Sequence, residues 1–305
     1  MFTILGIALL GVGAADMFIT VFVSQARGGP IARSAGRGIW RAFRALARKP
    51  GGRTHDTVLS LAAPLMIVST LGIWTLLMVG GFALLYLPHV HRFLLTTGHP
   101  LAPWVEALSY SVGIASTVGG GNLVPRTAAM KLVSALEGLS GFAMVTVAVS
   151  YLLGVYSELM QAHRLGAEIS VYLRGGVAAT LERIRAAGHD PFARWCESVS
   201  CSLLAMQQAD MQYPVLQYFR SGDSSRALTV QVGSLLELTR AVPRTPGLEA
   251  LPAHPSYVAF YGALEDYILH VERHFVPDSF CTAPPGTAPG SLERAHERVR
   301  RYKRY

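Results

Sequence analysis

Apolar residues gather into three long runs in the first half of the chain. Residues 3–23 form the first, 21 residues with Asp16 as the one ionisable group. At 1.5 Å per residue this matches the ~30 Å hydrocarbon core of a bilayer. Residues 59–87 and 128–156 form the second and third, each able to cross with some tilt. Pro64 falls in the first turns of the second run, where proline is tolerated, and Gly72, Gly80 and Gly81 allow close helix approach. A shorter piece, residues 104–115, is too short to span. It predicts a helix that enters and leaves on one side, its non-helical end buried in protein or lining water. After Tyr156 the pattern becomes amphipathic. Helices are predicted near 158–187, 191–211, 224–241 and 256–275, parted by Gly- and Pro-containing breakers at 188–191, 222–224 and 243–255. The pattern predicts an all-α membrane protein with three transmembrane helices per chain. A re-entrant helix and loop lie between the second and third, and a helical cytosolic C-terminal domain follows.

Charge orients these elements. The chain is 51% apolar and 15% charged, against about 25% charged in a soluble domain. Residues 1–157 hold 11 Lys/Arg against 4 Asp/Glu, and residues 158–305 hold 16 against 15. The basicity belongs to the membrane half, which argues against nucleic-acid binding. Residues 24–56 carry Arg27, Arg33, Arg37, Arg41, Arg44, Arg48, Lys49 and Arg53 against Asp56 alone, which puts this loop in the cytoplasm. The N-terminus is then outside and the C-terminus cytoplasmic. Nothing basic precedes the first run, unlike a signal peptide, so it is expected to stay as a helix. Arg33, Arg37, Arg41, Arg44 and Arg48 share one helical face beside Ile39, Trp40, Phe43 and Leu46. This face either lies on anionic lipid headgroups or serves only as a topology signal. Asp16 either faces protein or water, or sits near the inner interface. Cys196, Cys201 and Cys281 make no CxxC pair and fit reduced cytosolic thiols. The resulting division is 1–23, 24–56, 57–157, 158–276 and 277–305, the last a flexible linker and a short basic helix.

Between the short apolar piece and the third run the chain reads A-S-T-V-G-G-G-N-L-V-P, residues 115–125. This resembles the pore loop of the potassium-channel superfamily, bacterial two-helix type, whose filter reads T-V-G-Y-G. Thr117, Val118, Gly119 and Gly121 match; Gly120 stands at the tyrosine position and Asn122 at the aspartate. A dehydrated cation needs several oxygens at once, and a backbone supplies them when successive carbonyls face one way. Glycines permit the angles this requires. The resemblance covers residues 59–157. It implies a homotetramer in a bacterial inner or plasma membrane, with potassium or another monovalent cation as permeant ion and no cofactor. Gly120 removes an aromatic brace unless Trp104 or Tyr110 fills its place, so relaxed selectivity is expected.

Glu106 suits the first turn of the 104–115 helix, whose C-terminal end favours a nearby cation. Glu137, ten residues into the third run, either braces the filter through a buried hydrogen bond or senses protons. Gly138 and Gly141 serve as a hinge or as close-packing points. The histidines at 89, 91 and 99 are irregularly spaced and read as solvated. Asp266, His270 and His274 share a helix face but are too few ligands for a metal. No G-x-S-x-G, H-E-x-x-H or phosphate-binding loop occurs, so the chain is not read as an enzyme. Two readings follow: a tetrameric cation channel gated by its cytosolic helices through an unidentified ligand, or a non-conducting, channel-like receptor or scaffold.

Overall fold

A backbone that leaves water must make its hydrogen bonds within itself, and helices do so most directly. In a computed structural model, which describes residues 1–23, 29–46, 60–219 and 226–275, three helices are long and apolar enough to cross a membrane, at Phe2–Phe22, Ala62–Arg92 and Ala128–Tyr172. The chain forms two compact units, one of residues 1–40 and 64–154, the other of 41–63 and 155–305.

The first unit opens with α1 (Phe2–Phe22) and the start of α2 (Pro30–Leu46), and continues with α3 (Ala62–Tyr86). Helices α1 and α3 approach closely where side chains are missing. A Cβ on Gly6 would lie 2.6 Å from the Gly81 carbonyl oxygen, and one on Gly81 would lie 2.7 Å from Leu10. Gly72 and Gly80 have open space around them. Of the three glycines expected to permit close approach, only Gly81 does so here. Beyond α3, a 3-10 turn at Leu87–Arg92 leads into β1 (Phe93–Leu95). This strand pairs antiparallel with β2 (Leu123–Pro125), Leu94 opposite Val124. The pair is a small departure from the all-α expectation. Three-residue strands carry no readable period, and these two form because the loop brings their ends together. Helix α4 (Pro103–Ala115) lies between them in the chain, with Pro103 at its start and the Glu106 carboxylate accepting the Leu101 N–H at 2.9 Å.

Helix α5 runs unbroken from Ala128 to Tyr172, past the end expected at 156. The change from apolar to polar residues at 156 marks where the pattern changes, not where the backbone stops being helical. The stop is Gly175 and Gly176, with φ of +89° and +87°, angles that side chains disfavour. The helix expected over 158–187 is therefore split between the end of α5 and α6 (Gly176–Ala187).

In the second unit follow α7 (His189–Gln212), α8 (Leu228–Ala241) and α9 (Pro255–Phe275). Their apolar positions recur every three or four residues. Phe192, Cys196, Val199 and Leu203 on α7 are buried, as are Leu235 and Leu238 on α8 and Phe260, Leu264 and Ile268 on α9. Leu165 and Ile169 bring the end of α5 into the same unit's buried interior. The Tyr172 ring stacks on Trp195 at 3.8 Å and 7°. The Arg183 guanidinium donates to the carbonyls of Tyr172 and Arg174 at 2.7 and 3.1 Å, satisfying oxygens left over at the helix end. The residues from 276 onward, including Cys281 and the predicted linker and basic helix, lie outside the described residues.

Candidate functional site

The loop after α4 is held at both ends by its own backbone. Ser116 and Thr117 N–H groups donate to Val112 and Ile114 carbonyls at 3.0 and 3.1 Å, and Gly119 N–H turns back to Gly113 O at 2.9 Å. Gly113 has to be bare, because a Cβ there would run into the Gly119 carbonyl. On the exit side, Asn122 O accepts from Thr96 N–H at 2.9 Å and from the Thr96 hydroxyl at 3.1 Å. Strands β1 and β2 continue that tie.

Every second residue in the loop is left-handed. Thr117, Gly119 and Gly121 have φ of +62°, +109° and +62°. Such an angle is a genuine outlier for a β-branched residue like Thr117, and outliers of this kind collect at functional sites. Alternating handedness cancels the normal alternation of a strand and brings carbonyls toward one side. The row is interrupted, however. The Gly119 carbonyl rests against Gly113, and Gly120 O accepts the Leu123 N–H at 3.3 Å. Among the described residues, the carbonyls of Thr117 and Val118 accept no hydrogen bond. Val118 is 86% exposed, and Thr117, Gly119, Gly121 and Asn122 are exposed with it.

Behind the loop lies a polar knot inside an apolar packing. Glu137 is fully buried. One carboxyl oxygen accepts from the Tyr86 hydroxyl at 2.7 Å, and the other is bonded to the Ser111 hydroxyl. Ser111 also reaches the Val79 carbonyl at 2.9 Å. The Tyr110 hydroxyl is bonded to Ser134 Oγ at 2.7 Å, and Ser134 donates to Met130 O at 2.8 Å. Glu137 thus ties α3, α4 and α5 together through buried hydrogen bonds. Tyr86, Ser111 and Ser134 were not singled out from the sequence. The available signal was a hydroxyl at each of three points within otherwise apolar segments.

The remaining candidates separate. Trp104 is 63% exposed, whereas the Tyr110 ring lies against Gly120. Gly141 is a close-packing point: a Cβ there would collide with the Ala115 carbonyl. Gly138 has room, with Ile114 no nearer than 3.8 Å. On α2, Arg33, Arg37 and Arg41 are exposed and Trp40 is buried; Arg48 and the side chain of Arg44 lie outside the described residues. Asp16 is 2% exposed and faces protein. It accepts the N–H groups of Ile31 and Ala32 at the start of α2, and the Trp74 indole N–H from α3. Asp266 and His274 are exposed while His270 is buried, and no metal-binding group occurs among the described residues.

Two long apolar helices thus flank a short helix and a glycine-rich loop. Residues 66–158, from α3 through the middle of α5, match the family model described as Ion channel. The chain is also 31% identical over 160 residues to the uncharacterized membrane protein YdjJ of Bacillus subtilis (strain 168). That similarity covers 52% of this chain and 46% of the relative, so the chain spans under half of that protein's length. No solved structure matches. The chain is thus a membrane protein with three helices able to cross a bilayer, similar to ion channels over this segment.

Proposed function

We propose that the protein is a potassium-conducting cation channel with relaxed selectivity, built from four copies of the chain around the 117–122 loop. The observation that carries this reading is the left-handed backbone at Thr117, Gly119 and Gly121 in a loop that follows a short helix. One loop supplies too few oxygens to strip a cation of its water, and four loops around an axis supply enough. Relaxed selectivity follows from the Gly119 carbonyl, which is packed against Gly113, and the Gly120 carbonyl, which accepts the Leu123 N–H. Fewer oxygens then meet the ion, and size discrimination weakens.

In this reading α4 is a re-entrant pore helix, the N-terminus is outside, and the C-terminal helices are in the cytoplasm of a bacterial cell. The exposed Arg33, Arg37 and Arg41 of α2 rest on anionic lipid headgroups. The second unit gates the pore through α5, which enters it as one continuous helix ending in the Tyr172–Trp195 stack. A ligand that reorients these helices would bias an inner gate.

The test is ion flux from liposomes holding the purified protein, with potassium and then sodium as permeant ion. Flux of both, with potassium modestly ahead, is the expected result. Strong exclusion of sodium would overturn the relaxed filter. Silence toward both ions, with tetramers intact, would favour the second reading, a non-conducting receptor or scaffold. The observation on that side is the same pair of turned carbonyls.

A further inference from the structure

Gly120 is the one glycine of its triplet that backbone angle does not require. Gly119 and Gly121 are left-handed and have open space around the position of a Cβ; Gly120 is outside that region and has none. A Cβ on Gly120 would fall well inside van der Waals contact of Tyr110 Cε2. It would also lie 2.7 Å from Cδ2 and 3.1 Å from the Leu123 carbonyl. What excludes a side chain at 120 is therefore a ring delivered by α4.

That ring is itself fixed from three directions. Tyr110 is 3% exposed. It meets Tyr86 edge-on with centroids 5.0 Å apart and Phe93 with centroids 4.9 Å apart, the geometry aromatic pairs prefer. Its hydroxyl is bonded to Ser134 of α5 at 2.7 Å. One side chain thus connects the loop, β1, α3 and the pore-lining segment.

We propose that Tyr110 is the positioning residue of the 117–122 loop, setting its ion discrimination from behind, and that glycine at 120 exists to receive its ring. The aromatic that the resembled motif carries within the filter is here carried by the helix that supports it. This rests on the channel reading for its functional half, while the packing half stands alone.

The experiment is a double-mutant cycle in the full-length protein, read first by thermal unfolding in detergent. Gly120→Ala alone is expected to lower the unfolding midpoint by roughly 5 °C through overpacking. In a Tyr110→Ala background the same change is expected to cost nothing further, because the methyl enters the vacated space. Additive losses would overturn the proposal. Where Tyr110→Ala does not assemble, Tyr110→Leu serves, since it removes the Cε2 atom in closest approach.

The second readout is the potassium-to-sodium flux ratio. Tyr110→Ala is expected to shift it, Tyr110→Phe to restore it by keeping the ring, and Trp104→Ala to leave it unchanged. A coupled pair with a flux ratio unmoved by Tyr110→Ala would remove the positioning role. A coupled pair in a wild-type protein that passes no ion would leave the packing intact and overturn the channel reading instead.

Discussion

The Trp74 indole of α3 donates to the Asp16 carboxylate of α1 at 2.9 Å, and both groups are buried. The same carboxylate receives the first free N–H groups of α2, at 2.8 and 3.3 Å. A helix start leaves unsatisfied donors and a partial positive charge, and here a residue fourteen positions away supplies the anion. Gly29 permits the approach, since a Cβ there would lie 2.6 Å from Asp16 Cγ. Thr20 completes the turn by donating to Asp16 O and accepting the Gly29 N–H. Asp16→Ala should leave three donors unmet in a buried place, at about 1–3 kcal/mol for the first of them. The expected outcome is faster tryptic cleavage at Arg33, Arg37 and Arg41 of the folded protein, with a shifted Trp74 emission. Unchanged cleavage would mean that α2 is held by something other than Asp16.

Glu137 has two bonded neighbours with one proton each, and one of them is shared. Ser111 has a single hydroxyl proton but touches both Val79 O and the Glu137 carboxyl. A donor at position 137 resolves the conflict by letting Ser111 give its proton to Val79. Glu137→Gln provides an amide N–H there and keeps an acceptor for Tyr86. This substitution is expected to leave the unfolding midpoint nearly unchanged. Glu137→Ala leaves a cavity and unmet hydroxyls and should destabilise by about 3 kcal/mol. Equal losses in both variants would show that charge, not hydrogen bonding, is what the site needs.

How far the sequence could be read depended on whether a feature is local. The three apolar runs and the glycines at 119–121 are local: helices form at the runs, and Gly119 and Gly121 are left-handed, whereas Gly120 is not and the left-handed Thr117 has no signal in its residue type. The end of the third helix is not legible, because polarity changes at Tyr156 while the backbone stays helical to Tyr172 and the breaker sits at Gly175. Asp16 was legible as an anomaly but not as a cap, because its partners are fifteen and fifty-eight residues distant. Tyr110 was visible only as one of two aromatic candidates. Choosing it over Trp104 needed the helix phase that turns one ring inward and leaves the other exposed.

Gly138 and Gly141 separate the two explanations given for glycine in α5. A methyl at 141 meets the backbone carbonyl of Ala115, which cannot move without shifting α4. Gly141→Ala should therefore lower the unfolding midpoint by several degrees, in line with overpacking costs of about 1–3 kcal/mol. A methyl at 138 has space and improves helix propensity by about 1 kcal/mol. Gly138→Ala should leave stability equal or raised. If Gly138→Ala also left ion flux unchanged, a hinge at this position would be excluded. Reduced flux with raised stability would instead mark a bend used in opening.

His270 on α9 is buried, and its Nε2 has no hydrogen-bond partner among the described residues. The His274 ring lies 4.6 Å away by centroids and its Nδ1 is 3.0 Å from the His270 carbonyl. Burial, with a smaller contribution from His274, lowers the His270 pKa from 6.5 to about 4. The unfolded chain therefore binds a proton below pH 6.5 that the folded chain refuses until about pH 4. Stability should fall as pH drops through that window, by on the order of 3 kcal/mol in total, and be unaffected by His270 above it. Urea unfolding of the full-length protein at pH 7.5, 6, 5 and 4 measures this directly. His270→Phe, which keeps an apolar ring and cannot take up the proton, should flatten the slope between pH 6.5 and 4. An identical slope in that variant would assign the acid sensitivity to other groups and leave His270 as packing only.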